Sequence, residues 1–303
     1  MRVVAISILL VMLASVAWAE TFRVPVEDKD LAVALSQATY GDTVLVYPGK
    51  YKLQARLKAG VKLLSVAGPD STVLWNKRWH ILRLDDCDLE TEIRGFTFDG
   101  AGCNIAIACT LGTPSIIGNV IRSAWDGMSL QRCNAFIKGN TIEGCNRGIA
   151  VEGGNPELVE NTFGSNGEDV YLFSSSAIVA RCKFASNGKA LYLAGYSYPT
   201  IGGSLAAAND FVGKGYGVYN DSRRVEGSLY TDEREVAVAT HNYWGSLCPS
   251  KRKLLGDVVI SPWVNAAHDS TYTECPQALP EKAGEPGKAI DTGTGAGSDK
   301  TGE

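Results

Sequence analysis

The sequence predicts an all-β fold, a right-handed parallel β-helix solenoid of about eight coils with an N-terminal capping helix. Three observations carry that expectation. The first is a repeat: the phrases Ile117–Ile121, Lys138–Ile142, Val159–Phe163 and Ala180–Phe184 follow at steps of 21 residues, with Asn119, Asn140, Asn161 and Cys182 in third place. The second is alternation. Ile121, Ile142, Phe163 and Phe184 stand two residues later, and a second phrase runs in register through Asp126–Leu130, Arg147–Val151, Glu168–Leu172 and Lys189–Leu193. Both phrases alternate apolar with small or polar residues, the period of a strand with one buried face. The third is brevity. Short strands punctuated by Gly and Asn leave no room for a helix, and a unit that cannot bury its own apolar face stacks on its neighbours. Equivalent residues then lie about 4.8 Å apart along the axis. Stacked Asn119, Asn140 and Asn161 amides can bond to one another there and satisfy turn backbone.

In chain order, residues 1–19 read as a secretory signal: Arg2, an apolar run from Val3 to Val16, then Ala17-Trp18-Ala19 as a small-residue cleavage site. Residues 20–276 form the β-helix domain. Within it, Leu31, Ala34, Leu35 and Ala38 share one face of a helix near residues 28–38, with Asp28 or Asp30 as N-cap. Such a helix covers the open, edge-exposed end of the core. Coils are expected over 42–246. The steps from Cys182 to Asn209 and from Asn209 to Asn242 are longer, so Gly195–Leu205 and Arg223–Glu235 are expected protrusions. Residues 277–303 have the composition of a disordered tail.

The formal net charge of −4, without basic clusters, argues against nucleic acid or an anionic membrane as a partner. No integral membrane segment is expected after signal cleavage, and the expected location is secreted or periplasmic. Of the eight cysteines, Cys87 and Cys133 share a column, as do Cys103 and Cys145, but each pair is two coils apart. That is about 9.6 Å, too far for a bridge. Cys109 falls in the inward column and Cys182 in the Asn ladder, so these six read as small buried thiols. Cys248 and Cys275 lie outside the regular coils and are the remaining candidates for a disulfide.

The segments Gly41–Tyr51, Leu57–Val61 and Gly68–Val73 resemble the opening of secreted pectin-lyase-like β-helix proteins. The closing phrase Asn242-Tyr243-Trp244-Gly245, with Ser261-Pro262-Trp263 downstream, resembles β-helix repeat proteins related to periplasmic copper-site maturation. This resemblance implies the fold and export. Its superfamily spans lyases, hydrolases, epimerases and binding proteins, so it does not choose a function.

The acid, Asn, His and Arg signatures of pectin-methylesterase-like, polygalacturonase-like and alginate-epimerase-like enzymes are absent; only Asp85-Asp86 offers a carboxylate pair, adjacent on an expected turn. His80, His241 and His268 lack metal-ligand spacing, and no cofactor or metal is expected. The feature above background is an outward column, Ala108, Ser129, Ala150, Tyr171, Tyr192 and Tyr219, beside Thr110, Gln131, Glu152, Phe173, Ala194 and Asp221. Tyr171, Tyr192, Tyr219 and Phe173, edged by Glu152 and Asp221, are the candidate substrate-binding residues of a polysaccharide or cell-surface glycan groove. The same ladder also serves as plain sheet stabilisation. Asp126, Arg147, Glu168 and Lys189 alternate in sign beside it and are expected to fix register. The expected function is polysaccharide binding or a surface structural role. The alternative is a polysaccharide lyase or glycoside hydrolase on uronate polymers, with Glu152, Asp169 and Asp221 as the nearby acids.

Overall fold

The computed structural model describes residues 19–25, 30–226 and 229–276. All but the last residue of the expected signal segment, the expected Asp28 cap and the expected tail from 277 lie outside the described residues. The chain winds as a right-handed parallel β-helix, each coil visiting three sheets in turn. In one regular coil Ser115–Ile117 lies in the first sheet, Val120–Arg122 in the second and Asp126–Gln131 in the third. The sheets hold nine, eight and ten strands, one of the ten being the antiparallel hairpin strand Leu229–Arg234, and the stack exceeds the eight coils expected. The extra length lies at both ends. Thr21–Val24 pairs in parallel with Thr43–Val46 before the regular repeat begins. Beyond residue 246, Leu254–Leu255 and Val258–Val259 add parallel rungs against Tyr216–Glu226 and Ala237–Val238.

The helix is Leu31–Gln37, shorter than the span of its apolar pattern, with Asp30 accepting from the Val33 N–H. Leu31, Ala34, Leu35 and the following Ala38 are buried. Lys58 Nζ donates to the carbonyls of Ser36 and Ala38 at 2.5 and 2.9 Å, satisfying groups that the helix end leaves open.

Inside, each sheet contributes unbroken apolar columns. Ile93, Ile116, Ile137, Leu158 and Val179 stack in the first. In the second, Ile121 and Ile142 give way to Phe163, Phe184, Phe211 and Trp244, whose rings stack face to face at 5.0, 4.9 and 4.6 Å. Trp244 thus ends the aromatic stack, two residues after Asn242, as Ile121 follows Asn119. The closing Asn-Tyr-Trp-Gly phrase is a further copy of the repeat.

The Asn ladder forms as expected and runs further. Asn119 donates through its backbone N–H and Nδ2 to Asn140 Oδ1 at 2.9 and 3.1 Å, and Asn140 does the same to Asn161 at 3.0 and 3.0 Å. Cys182 takes the next place, and Asn209 and Asn242 resume the pattern across steps of 27 and 33 residues. The long loops therefore leave the ladder intact. Around Arg223–Glu235 the chain protrudes as expected, Leu229–Arg234 folding antiparallel onto Tyr216–Glu226. The other insertion is displaced from Gly195–Leu205. Thr200–Ile201 still pairs with Ile178–Ala180, and most of the added length follows it, around the 3-10 turn Leu205–Ala207. Buried pairing outweighs loop position, because an unpaired strand in the first sheet would orphan its backbone.

All six inner cysteines are buried free thiols; burial pushes Cys87 and Cys103 up to about 11. Cys248 and Cys275 are also free and lie exposed, which corrects the expected bridge.

Candidate functional site: the outer face of the third sheet and its leading corner

The third sheet has the longest strands, which makes its outer face the broadest flat surface of the solenoid. Register follows the sequence expectation: Ala150, Tyr171, Tyr192 and Tyr219 are successive partners, as are Glu152, Phe173, Ala194 and Asp221. The tyrosine rings do not lie flat on one another. Tyr171–Tyr192 and Tyr192–Tyr219 meet edge to face at 5.2 and 4.8 Å, and Tyr216 adds a further edge contact to Tyr219 at 5.7 Å.

The charged column locks these rings. Arg147 makes a forked ion pair with Asp126 at 2.6 and 2.7 Å, while Lys189 pairs with Glu168 at 2.9 Å. The same cations lie on the aromatics: Arg147 is 5.3 Å from the Tyr171 ring, and Lys189 is 3.9 and 4.6 Å from those of Tyr192 and Tyr219. These charges therefore do more than set register. They hold the three tyrosines half-buried, and Phe173 is the more open ring at 45% exposure.

Sequence reasoning missed the concavity beside this column. A groove of about 460 Å³ lies at the corner where each chain turn enters the third sheet, walled by Glu168, Lys189 and Tyr216 and flanked by Asn146 and Asn187. Its floor is the bare backbone of Gly167, Gly188 and Gly215. A Cβ on Gly188 would stand 1.8 Å from the Gly167 carbonyl oxygen, and one on Gly215 equally close to that of Gly188. Only glycine permits that approach. The signal was present in the sequence: Gly167 and Gly188 recur at the repeat step, each just before a member of the charged column.

The acids do not converge. Asp169, offered from sequence as a groove acid, points into the core and is fully buried; Asn166 Nδ2 and Ser186 Oγ donate to its Oδ1 at 2.9 and 2.5 Å, while Oδ2 has no partner. Burial pushes its carboxyl up to about 7. Asp221 pairs with Arg234 at 3.6 Å, and Glu152 stands three rungs from it, about 14 Å at the spacing of parallel strands. Asp85 is held by Arg83 and Arg56 at 2.9 and 3.3 Å. His268 Nε2 meets Asp210 Oδ1 at 2.8 Å, joining the C-terminal segment to the stack. His80 lies far along the third sheet, its pKa lowered by burial and by Arg83. Among the described residues no three His, Cys, Asp or Glu side chains gather as a metal site.

A family model described as "Right handed beta helix region" matches residues 86–244. Among solved structures the chain resembles one titled "Geobacillus virus E2 - ORF18", with 13% identity and a TM-score of 0.45. That alignment covers 68% of this chain and 50% of the other, so the chain spans half the length of that protein. No curated protein matches the chain.

Proposed function

The chain belongs to the right-handed β-helix family, and from that premise we propose that it is a polysaccharide-binding module whose ligand lies on the outer face and leading corner of the third sheet. The observation that carries this reading is the groove of about 460 Å³ with a glycine floor, whose Tyr216 wall continues into the Tyr192 and Tyr219 column. A bare floor admits a pyranose ring closely. Aromatic side chains meet its apolar face, and Asn146, Asn187, Glu168 and Lys189 meet its hydroxyls. The signal-like first 19 residues support export to the compartment where such glycans occur.

Binding is favoured over glycoside cleavage by the placing of the acids. Carboxylate pairs that hydrolyse glycosides stand roughly 5–9.5 Å apart. Glu152 and Asp221 stand about 14 Å apart by rung count, and Asp169 is sealed in the core. A glycan array on the mature protein tests the reading, with Tyr216→Ala and a triple Tyr171, Tyr192 and Tyr219→Ala variant alongside. Both variants are expected to lose at least tenfold in affinity while keeping the wild-type circular dichroism. No glycan bound by the wild type would leave the structural-module reading in its place. Steady release of unsaturated or reducing sugars from a uronate polymer would install the enzyme reading.

A further inference from the structure

The corner that holds the groove continues along the whole solenoid as one column of residues. Backbone hydrogen bonds set its order. Ile105, Asp126, Arg147, Glu168 and Lys189 each donate an N–H to the residue one rung back at the corner: Trp79, Asn104, Trp125, Asn146 and Gly167 respectively. Gly188 and Gly215 follow in contact. Trp79 and Trp125 are exposed to 69% and 61%, the largest side chains so far into solvent among the described residues. Asn104 and Asn146 beside them are exposed too. Two indoles held two rungs apart, with an amide between them and a bare glycine trough beyond, make a track parallel to the axis. Each rung advances about 4.8 Å, close to the advance of one ring in an extended polysaccharide.

The N-terminal end of the track carries a second, independent feature. A cavity of about 560 Å³ opens there beside Trp75, lined by Lys52, Gln54, Asn76, Lys77 and Arg78. Lys50 and Lys52 flank the Trp75 ring at 5.4 and 5.9 Å. Among the described residues, none of Lys50, Lys52, Lys77 and Arg78 has a carboxylate within ion-pair distance, whereas Arg56, Lys62, Arg83 and Arg94 close by are all paired. Asp99, the register neighbour of Trp75, is taken by Arg122 at 3.1 Å. Two unpaired cations at an aromatic ring and two more lining the cavity beside it, on a chain of net charge −4, form a local electrostatic sink for anions.

We infer that the ligand is an extended acidic polysaccharide running along this corner, its carboxylates or sulfates on Lys52, Lys77 and Arg78 and its sugar faces on Trp79 and Trp125. The inference rests on the glycan-binding reading but places the contacts further along the same corner, on residues that reading does not use, so the two fail separately. The concave, flanked setting of Trp75 suits a sugar ring, and a lipid surface is an outcome of the test.

Binding of an oligogalacturonide hexamer, a sulfated heparin hexasaccharide and neutral cellohexaose is measured by calorimetry across salt concentration. One acidic hexamer at least is expected to bind, weakening as salt rises, with cellohexaose at least tenfold weaker. Lys52→Gln, Lys77→Gln and Arg78→Gln together should cost at least tenfold and flatten the salt dependence. Trp79→Ala with Trp125→Ala should cost at least tenfold and leave the salt dependence in place. All these side chains are exposed, so folding is checked simply by unchanged circular dichroism. Equal binding of cellohexaose, or full binding by either corner variant, overturns the inference. Loss only in the triple tyrosine variant would overturn it while sustaining the third-sheet reading; loss only in the corner variants would do the reverse. Wild-type binding to phosphatidylserine vesicles without binding to either acidic hexamer would also overturn it.

Discussion

Replacing Cys182 with asparagine should make the protein more stable, although the site is buried and the native residue is the smaller one. Where one ladder Asn directly follows another, its oxygen accepts two bonds from the coil before it, as Asn242 Oδ1 does from Asn209 at 2.9 and 2.9 Å. At Cys182 the only acceptor is sulfur, and Asn161 Nδ2 approaches it at 3.9 Å. The single S–H faces two carbonyls, Leu158 at 3.4 Å and Ala180 at 3.5 Å. Asn140 supplies the equivalent contacts with Nδ2 at 2.9 and 3.2 Å. Cys182→Asn therefore exchanges weak sulfur contacts for two or three amide bonds, each worth about 1 kcal/mol net. Fitting the slightly larger side chain takes some of this back, which leaves an expected gain of ~1–2 kcal/mol. Urea denaturation checks it: the midpoint should rise with an unchanged slope. Cys182→Ala, which takes away the sulfur and leaves Asn161 Nδ2 only its bond to the Ile137 carbonyl, should lose ~1–3 kcal/mol. A Cys182→Asn protein that folds but is no more stable than wild type would refute the claim that amide bonding, rather than packing, sets the ladder's contribution.

Asp169 predicts a pH effect with a definite sign. Its carboxyl rises from 3.8 to about 7 on folding, so between those values the folded chain keeps a proton that the unfolded chain releases. Stability is full below about pH 4, falls as pH rises, and levels off above 7, a loss of about 4 kcal/mol. Asp169→Asn removes this slope, so its stability relative to wild type should climb across that window; parallel pH profiles would contradict it. Gly188→Ala should destabilise by at least ~2 kcal/mol, because the new methyl meets the Gly167 carbonyl rather than a movable side chain; a melting temperature within a degree of wild type would count against the close-approach argument. Trp244→Ala removes the end of the four-ring stack and should cost ~3–5 kcal/mol by urea denaturation.

Much of the fold was legible because a solenoid writes its contacts as a period. Asn119, Asn140 and Asn161 recur at 21 residues, and a contact between neighbouring coils is a contact at that step. The same arithmetic placed Tyr171, Tyr192 and Tyr219 in one column and Asp126, Arg147, Glu168 and Lys189 in another. It faltered where the step changes. Counting coils over 42–246 missed the rungs outside that span, since Thr21–Val24 and Val258–Val259 belong to no repeat phrase. The inward turn of Asp169 was also lost, although Gly148 and Ala190 at the same repeat position already marked it as an interior column.

By itself the sequence determined the class of fold, the faces of its strands and the partners of its ladders, since these follow from periodicity and side-chain polarity. The tertiary structure alone decided which surface is concave, which cations are left without a partner and which rings are covered. Tyr192 and Lys189 are three residues apart in any reading, yet only the folded chain shows the ammonium 3.9 Å over the ring. Trp79 and Trp125 look unrelated in sequence and come to share one corner, two rungs apart, because a longer coil intervenes. Shape and charge at a surface depend on distances across coils of unequal length, and a periodic pattern does not encode them.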